Sequence, residues 1–203
     1  MSKNFEQLFG FLSLAEKMKT TLRFGEHPMM PGRKESAAEH SWRLALMSFA
    51  VAEELQLDVD VTKAMKLALI HGLVEAEIGN IDAVLIGRTI TKEEKERAER
   101  QAMEKIKGLL SGVLGDEVFA LREEYVACVT LEAKYIKALK RIETVLHIVE
   151  VGVYDDYAFL ATYADKDVQN FPALLPLLQD IKRKLKEDYE KAGVEWKAEY
   201  DVV

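Results

Sequence analysis

Apolar residues along this chain recur at i, i+3 and i+4, the period of an amphipathic helix. No run alternates apolar and polar residues long enough to demand a strand. The first stripe, Leu8, Phe11, Leu12, Ala15 and Met18, predicts a helix over residues 5–20. Gly25, Pro28, Pro31 and Gly32 then break the pattern and predict a loop. Ser36 followed by Glu39 is a capping box, in which hydroxyl and carboxylate each satisfy a backbone N–H of the first turn. It predicts a helix through Leu44, Met47, Val51 and Leu55. Asp60 caps the next, through Ala64, Leu67, His71 and Val74. A second capping box, Thr91 with Glu94, opens a charged helix to about residue 110, and another helix follows over 116–127. Thr130 starts a long helix through Ile136, Leu139, Leu146 and Val149. Residues 172–192 form the last helix, either core or a dimer contact, with Leu174, Leu177, Leu178, Ile181 and Leu185 on its apolar face. The stretch 155–167 is the least periodic and reads as loop or short helical turns. The pattern predicts one all-α domain over 1–203, a bundle of six or seven helices.

Composition narrows the class. Of 203 residues, 49% are hydrophobic, enough to offset the entropy of ordering a core. With 35 acidic against 28 basic residues, the net charge of −7 argues against nucleic acid as partner, because phosphate backbones are held by Lys and Arg. A single cysteine, Cys128, excludes an internal disulfide and a Cys-rich zinc site, and reads as a buried small hydrophobe. The polar and acidic residues within the first apolar stretch predict neither a signal peptide nor a membrane span. A cytoplasmic protein with a small-molecule ligand is expected, possible as a homodimer. The stretch 92–100 mixes both charge signs at i, i+4 spacing and reads as a solvated helix face. Trp42, Met47 and Phe49 have core spacing.

The scarce chemistry is in four histidines, His27, His40, His71 and His147. His71 and Glu75, four apart on one predicted helix, share a face. His40 lies in the first turn of the preceding helix. Two imidazoles on adjacent antiparallel helices can converge on a metal, a phosphate or a polarised carbonyl.

The segments Glu35-Ser-Ala-Ala-Glu-His-Ser-Trp-Arg-Leu-Ala-Leu46 and Ala68-Leu-Ile-His-Gly-Leu-Val-Glu-Ala-Glu-Ile-Gly-Asn-Ile81 resemble the HD-domain phosphohydrolases, in particular their 5′-deoxynucleotidase-like branch. Glu132-Ala-Lys-Tyr-Ile-Lys-Ala-Leu-Lys-Arg-Ile-Glu143 and the block 14–23 fit in the same order, so the likeness runs over 8–150. The resemblance implies a helical bundle around a divalent metal held by a His, a His-Asp pair and a distant Asp, with the metal activating water against a phosphate monoester. Carried over, the histidines are His40 and His71, and Glu75 matches the catalytic acid. The Asp of the pair is Gly72 here, the distant Asp is Lys140, and an Asp beside the substrate is Asn80. Together these replacements make the site four charge units less negative. The family's Arg-Thr-Gly-Trp-like turn reads Arg23-Phe24-Gly25-Glu26-His27, which keeps Arg23 for a phosphate but assures no aromatic wall for a base.

The resemblance therefore implies an HD scaffold with no resident metal or other cofactor, its pocket reassigned by divergence or engineering. The expectation is binding of a small anionic or carbonyl-containing molecule, with Arg23, Asn80, Glu143 and His147 as ligand-binding residues. An alternative is a metal-independent catalyst: Lys140 as amine nucleophile, with His40, His71 or Glu75 moving protons. Lys140 could equally pair with Glu75 or Glu143 and do no chemistry. Residual metal-dependent 5′-nucleotidase activity is the third reading, and a plain interaction protein the last.

Overall fold

The computed structural model describes residues 5–81, 89–152 and 158–201. The central element is the helix Leu131–Val151 (α7 in chain order), whose Ile136, Leu139, Ile142 and Val145 are wholly buried. Apolar side chains on nearly every side of a helix require cover all round. Here it comes from Ala37–Glu54 (α2), Val61–Ile70 (α3), Gly112–Ala127 (α6), Asp165–Gln169 (α8) and Leu175–Ala192 (α9). A second, smaller core lies where Phe5–Lys17 (α1), Glu75–Ile78 (α4) and Lys92–Leu109 (α5) meet, around Leu14, Met103 and Ile106. The architecture is an all-α bundle with one small sheet. No helix among the described residues is long and apolar enough to cross a membrane.

Both capping boxes form: Ser36 and Glu39 at α2, Thr91 and Glu94 at α5. Asp60 caps α3 and Thr130 caps α7 as expected. The last helix is core, with Leu174, Leu178 and Leu185 buried. It starts with a 3₁₀ turn, Pro172–Leu174, so the helix proper begins at Leu175.

Several expectations are corrected. The predicted loop around Gly25 and Pro31 is an antiparallel hairpin, Leu22–His27 (β1) and Met30–Ser36 (β2), with Leu22 opposite Ser36 and Glu26 opposite Lys34. Its irregular register and its prolines, tolerated in a two-stranded edge sheet, hid the alternation. On α1 the buried residues are Leu14 and Met18, whereas Leu12 is exposed. Helix α3 stops at Ile70, so His71 is its C-cap and Glu75 opens α4 after a turn; the two do not share one helix. Helix α6 begins at Gly112, four residues before the position expected. Trp42 and Phe49 are exposed and only Met47 packs on the core. Cys128 is half-buried and ends α6 in the left-handed region (φ 53°). Of the stretch 155–167, residues 155–157 lie outside the described residues, and the remainder forms a 3₁₀ turn (Ala158–Thr162) and the start of α8.

Candidate functional site

Helices α4, α5, α6 and α7 and strand β1 surround a cavity of about 430 Å³. Its wall carries Arg23, Lys92, Lys95, Arg122, Lys137, Lys140 and Arg141 against Glu75, Glu96 and Glu99, a local excess of cations in an acidic protein. Apolar and aromatic cover comes from Phe24, Tyr125, Leu160 and Tyr163. The aromatic wall that the sequence did not assure is therefore present. The charged face of α5 is only partly a solvated surface, because Lys92, Lys95, Glu96 and Glu99 line this cavity.

Most of these cations already have partners. Arg122 donates to Glu99 and to the carbonyl of His71, each at 2.7 Å. Lys95 pairs with Glu99, and Arg141 with Asp167 at 2.9 Å while lying over the Tyr163 ring. Arg23 donates through Nε to Glu35 at 3.0 Å. Lys140 is half-buried in the wall and, among the described residues, makes no ion pair within 4 Å. Burial pulls its ammonium down to about 7, against the attraction of Glu75 and with added repulsion from Arg141, Arg23 and Lys95. The expected alternative of direct pairing with Glu75 or Glu143 is not what the structure contains.

Three more expected residues reach the cavity. His71 is buried on its wall, with Nδ1 2.7 Å from the Ala68 carbonyl. Nδ1–H donates there, which leaves the buried Nε2 lone pair without a hydrogen-bond partner among the described residues. Asn80 donates Nδ2–H to Glu75 Oε2 at 3.0 Å, so the two act as one polar unit. His40 does not line the cavity; it is buried behind His71, with ring centroids 5.4 Å apart. Burial pushes both imidazoles well below their usual range, and the cations Arg23 (for His40) and Lys140 (for His71) push the same way. Both rings are therefore neutral at pH 7.

Glu143 and His147, expected as ligand-binding residues, do not line this cavity. They are one and two turns further along α7 from Lys140 and point into a separate buried cluster with Glu35 and His40. Glu143 Oε2 lies 2.8 Å from His40 Nδ1, off the hydrogen-bond axis, and His147 Nδ1 is 3.8 Å from Glu35 Oε1. Burial, then Glu143, pushes the Glu35 carboxyl up to about 7 despite Arg23. Burial also raises Glu143 and lowers His147. Sequence reasoning gave Glu35 no role; its place directly before the α2 cap, with Arg23 across the hairpin, was the available signal.

Position 72 bears on what the site can hold. A Cβ built there meets Ser41 Oγ at 3.4 Å, Met18 at 3.5 Å and Glu75 Oε1 at 3.8 Å, so a side chain would fit with little adjustment. Ser41 Oγ is buried without a hydrogen-bond partner.

Comparisons with known proteins agree with this arrangement. Residues 15–171 match the family model described as HD domain. A 5′-deoxynucleotidase HDDC2 from Xenopus laevis is 34% identical over 145 residues, covering 71% of this chain and 69% of that protein. The human protein of the same name is 34% identical over 149 residues, with coverages of 73% and 69%. A crystal structure from Magnetospirillum magnetotacticum MS-1, described as a predicted metal-dependent phosphohydrolase, superposes with a TM-score of 0.78 at 27% identity, covering 95% of this chain and 96% of that one. With the bundle, the buried His40–His71 pair and Glu75 in place, this chain belongs to the HD domain family, among its 5′-deoxynucleotidase-like members.

Proposed function

We propose that the cavity binds a small phosphate monoester of the nucleotide class, with the Lys140 ammonium and the Arg23 guanidinium as its anion contacts, and without the divalent ion an HD site uses. The observation that carries this reading is Lys140: an ammonium in the wall of a 430 Å³ cavity with no carboxylate within 4 Å among the described residues, at the position where the family resemblance implies a carboxylate ligand. The donor set speaks against an ion at the family position. Gly72 offers no ligand, and Ser41 Oγ faces the space a side chain would occupy. No third His, Cys, Asp or Glu among the described residues stands close enough to His40 and His71 to share an ion with them. A cation beside His71 repels a divalent ion that needs carboxylates and imidazoles. These residues do not fit that metal.

Titration calorimetry in chelator with deoxyadenosine monophosphate tests the reading. Wild type should bind, and Lys140→Met should weaken binding about tenfold or more, the scale of a charge-assisted contact. Unchanged affinity in Lys140→Met overturns it.

A second reading is residual metal-dependent nucleotidase activity, favoured by the retained His40, His71 and Glu75 and by the 34% identity to named 5′-deoxynucleotidases. It requires phosphate release that depends on added manganese or cobalt and is lost in His71→Gln. A third use of the same residue, Lys140 as an imine-forming amine, draws on its pKa of about 7, which leaves a neutral fraction at physiological pH. Borohydride trapping with a carbonyl compound would leave a reduced adduct on Lys140.

A further inference from the structure

We propose that Glu35, Glu143 and His147 form a binding site for a zinc-type divalent ion, displaced along α7 from the place where the HD fold holds its metal. The inference is independent of the ligand proposed for the cavity. One ligand atom from each of the three side chains lies within 4.8 Å of the others, and all three residues are buried. Three ligand atoms bonded to one ion at about 2.0–2.2 Å lie about 3.3–3.8 Å from one another, so the set closes with side-chain shifts of about 1 Å.

The lone pairs are available. Glu143 is wholly buried and neither of its oxygens has a well-aligned hydrogen bond. Both ring nitrogens of His147, which is 3% exposed, are likewise unpartnered. Glu35 gives Oε2 to Arg23 at 3.0 Å and turns Oε1 toward His147 Nδ1 at 3.8 Å. Unpaired polar groups in the interior are costly, and a coordinated ion would satisfy all three at once. One contact beside the set also resembles those that orient metal ligands. Arg23 fixes Glu35 through its Nε at 3.0 Å.

Charge and sterics are consistent with an ion here. Arg43 approaches Glu143 only to 3.9 Å, because Glu150 holds its guanidinium in a bidentate pair at 2.6 and 2.8 Å. The inner set is therefore two carboxylates with Arg23 bonded to one of them and Arg43 at the edge of the other. His147 occupies its position only because residue 25 is glycine: a Cβ there would be 2.4 Å from Nε2. One imidazole with two carboxylates suits Zn²⁺, Co²⁺, Mn²⁺ or Fe²⁺ better than Mg²⁺ or Ca²⁺, which take oxygen ligands.

Cobalt serves as the spectroscopic probe. Chelator-stripped full-length protein titrated with Co²⁺ should take up one equivalent with a visible absorption band. His147→Gln should weaken uptake at least about tenfold, while His71→Gln should leave it unchanged. Should His147→Gln fail to fold, crystals of the wild-type chain grown with Zn²⁺ decide the matter, with an anomalous peak expected between Glu35, Glu143 and His147. Failure of the wild type to take up stoichiometric Co²⁺ or Zn²⁺ overturns the proposal. So does uptake lost in His71→Gln but kept in His147→Gln, or an anomalous peak beside His71.

Discussion

Helix α7 presents two charged neighbourhoods within two turns, and they are opposites. Lys140 faces an open cavity rich in cations, whereas Glu143 and His147 face a closed cluster rich in carboxylates. Burial acts on both and moves them toward each other: Lys140 falls to about 7 and Glu35 rises to about 7. Desolvation penalises whichever form is charged, so it lowers a base and raises an acid. The difference lies in relief. Lys140 can recover its charge by binding an anion that enters from solvent; the inner carboxylates can be relieved only by a proton, a cation or Arg23.

The sharpest way to break the contrast is to return the cavity to carboxylates. The triple variant Gly72→Asp, Asn80→Asp, Lys140→Asp should gain manganese- or cobalt-dependent phosphate release from deoxynucleoside monophosphates, at least about 100-fold above wild type, the scale of a restored electrostatic element. Phosphate release assays check it. Room exists for the first step, since position 72 offers a Cβ only ordinary or slightly close contacts.

Next in size is Gly25→Ala, which strikes the inner cluster alone. Its Cβ collides with His147, and overpacking of this kind costs about 1–3 kcal/mol in urea unfolding. Nucleotide binding in the cavity should change less than stability.

The pH dependence of the chelated protein should carry both signatures. Glu35, raised from 4.5 to about 7, keeps a proton in the folded state that the unfolded chain has released, so stability falls as pH rises between these values. Lys140, lowered from 10.5 to about 7, does the reverse: the unfolded chain holds the extra proton, and stability rises from about pH 7 toward 10.5. Each contribution should be a few kcal/mol, read as the difference between wild type and variant, because buried His40, His71 and His147, held below their usual range, add a rise of their own on the acid side. Urea titrations of Glu35→Gln should remove the first contribution, and those of Lys140→Met the second. The smallest effect is expected from Ser36→Ala, which removes the α2 cap that supports both neighbourhoods. It should cost about 1 kcal/mol by thermal unfolding and favour neither side.

Helix starts were legible in the sequence because a cap is a local device: Ser36 with Glu39 and Thr91 with Glu94 act within one turn. The hairpin was not, since Pro28, Pro31 and an irregular register erase period-two alternation over so few residues. In the cavity, His71, Glu75, Asn80 and Lys140 were legible through family resemblance, and the structure brings them together. Arg122, Lys137 and Arg141 were missed, as their contribution depends on how α6 and α7 pack. The inner cluster was half legible. Glu143 and His147 share a face of α7, but Glu35 joins them from across the chain, a proximity that no local spacing encodes.

Arg23 joins these neighbourhoods. It reaches the cavity wall, yet only its Nε is engaged, by Glu35, and its terminal nitrogens form no hydrogen bond among the described residues. One guanidinium is thus shared between an acid inside and any anion outside, and the two must compete for it. Whatever neutralises Glu35 releases Arg23 outward, and by thermodynamic reciprocity an anion that draws Arg23 outward makes Glu35 readier to accept a positive partner. A single side chain makes occupancy in one compartment a message to the other.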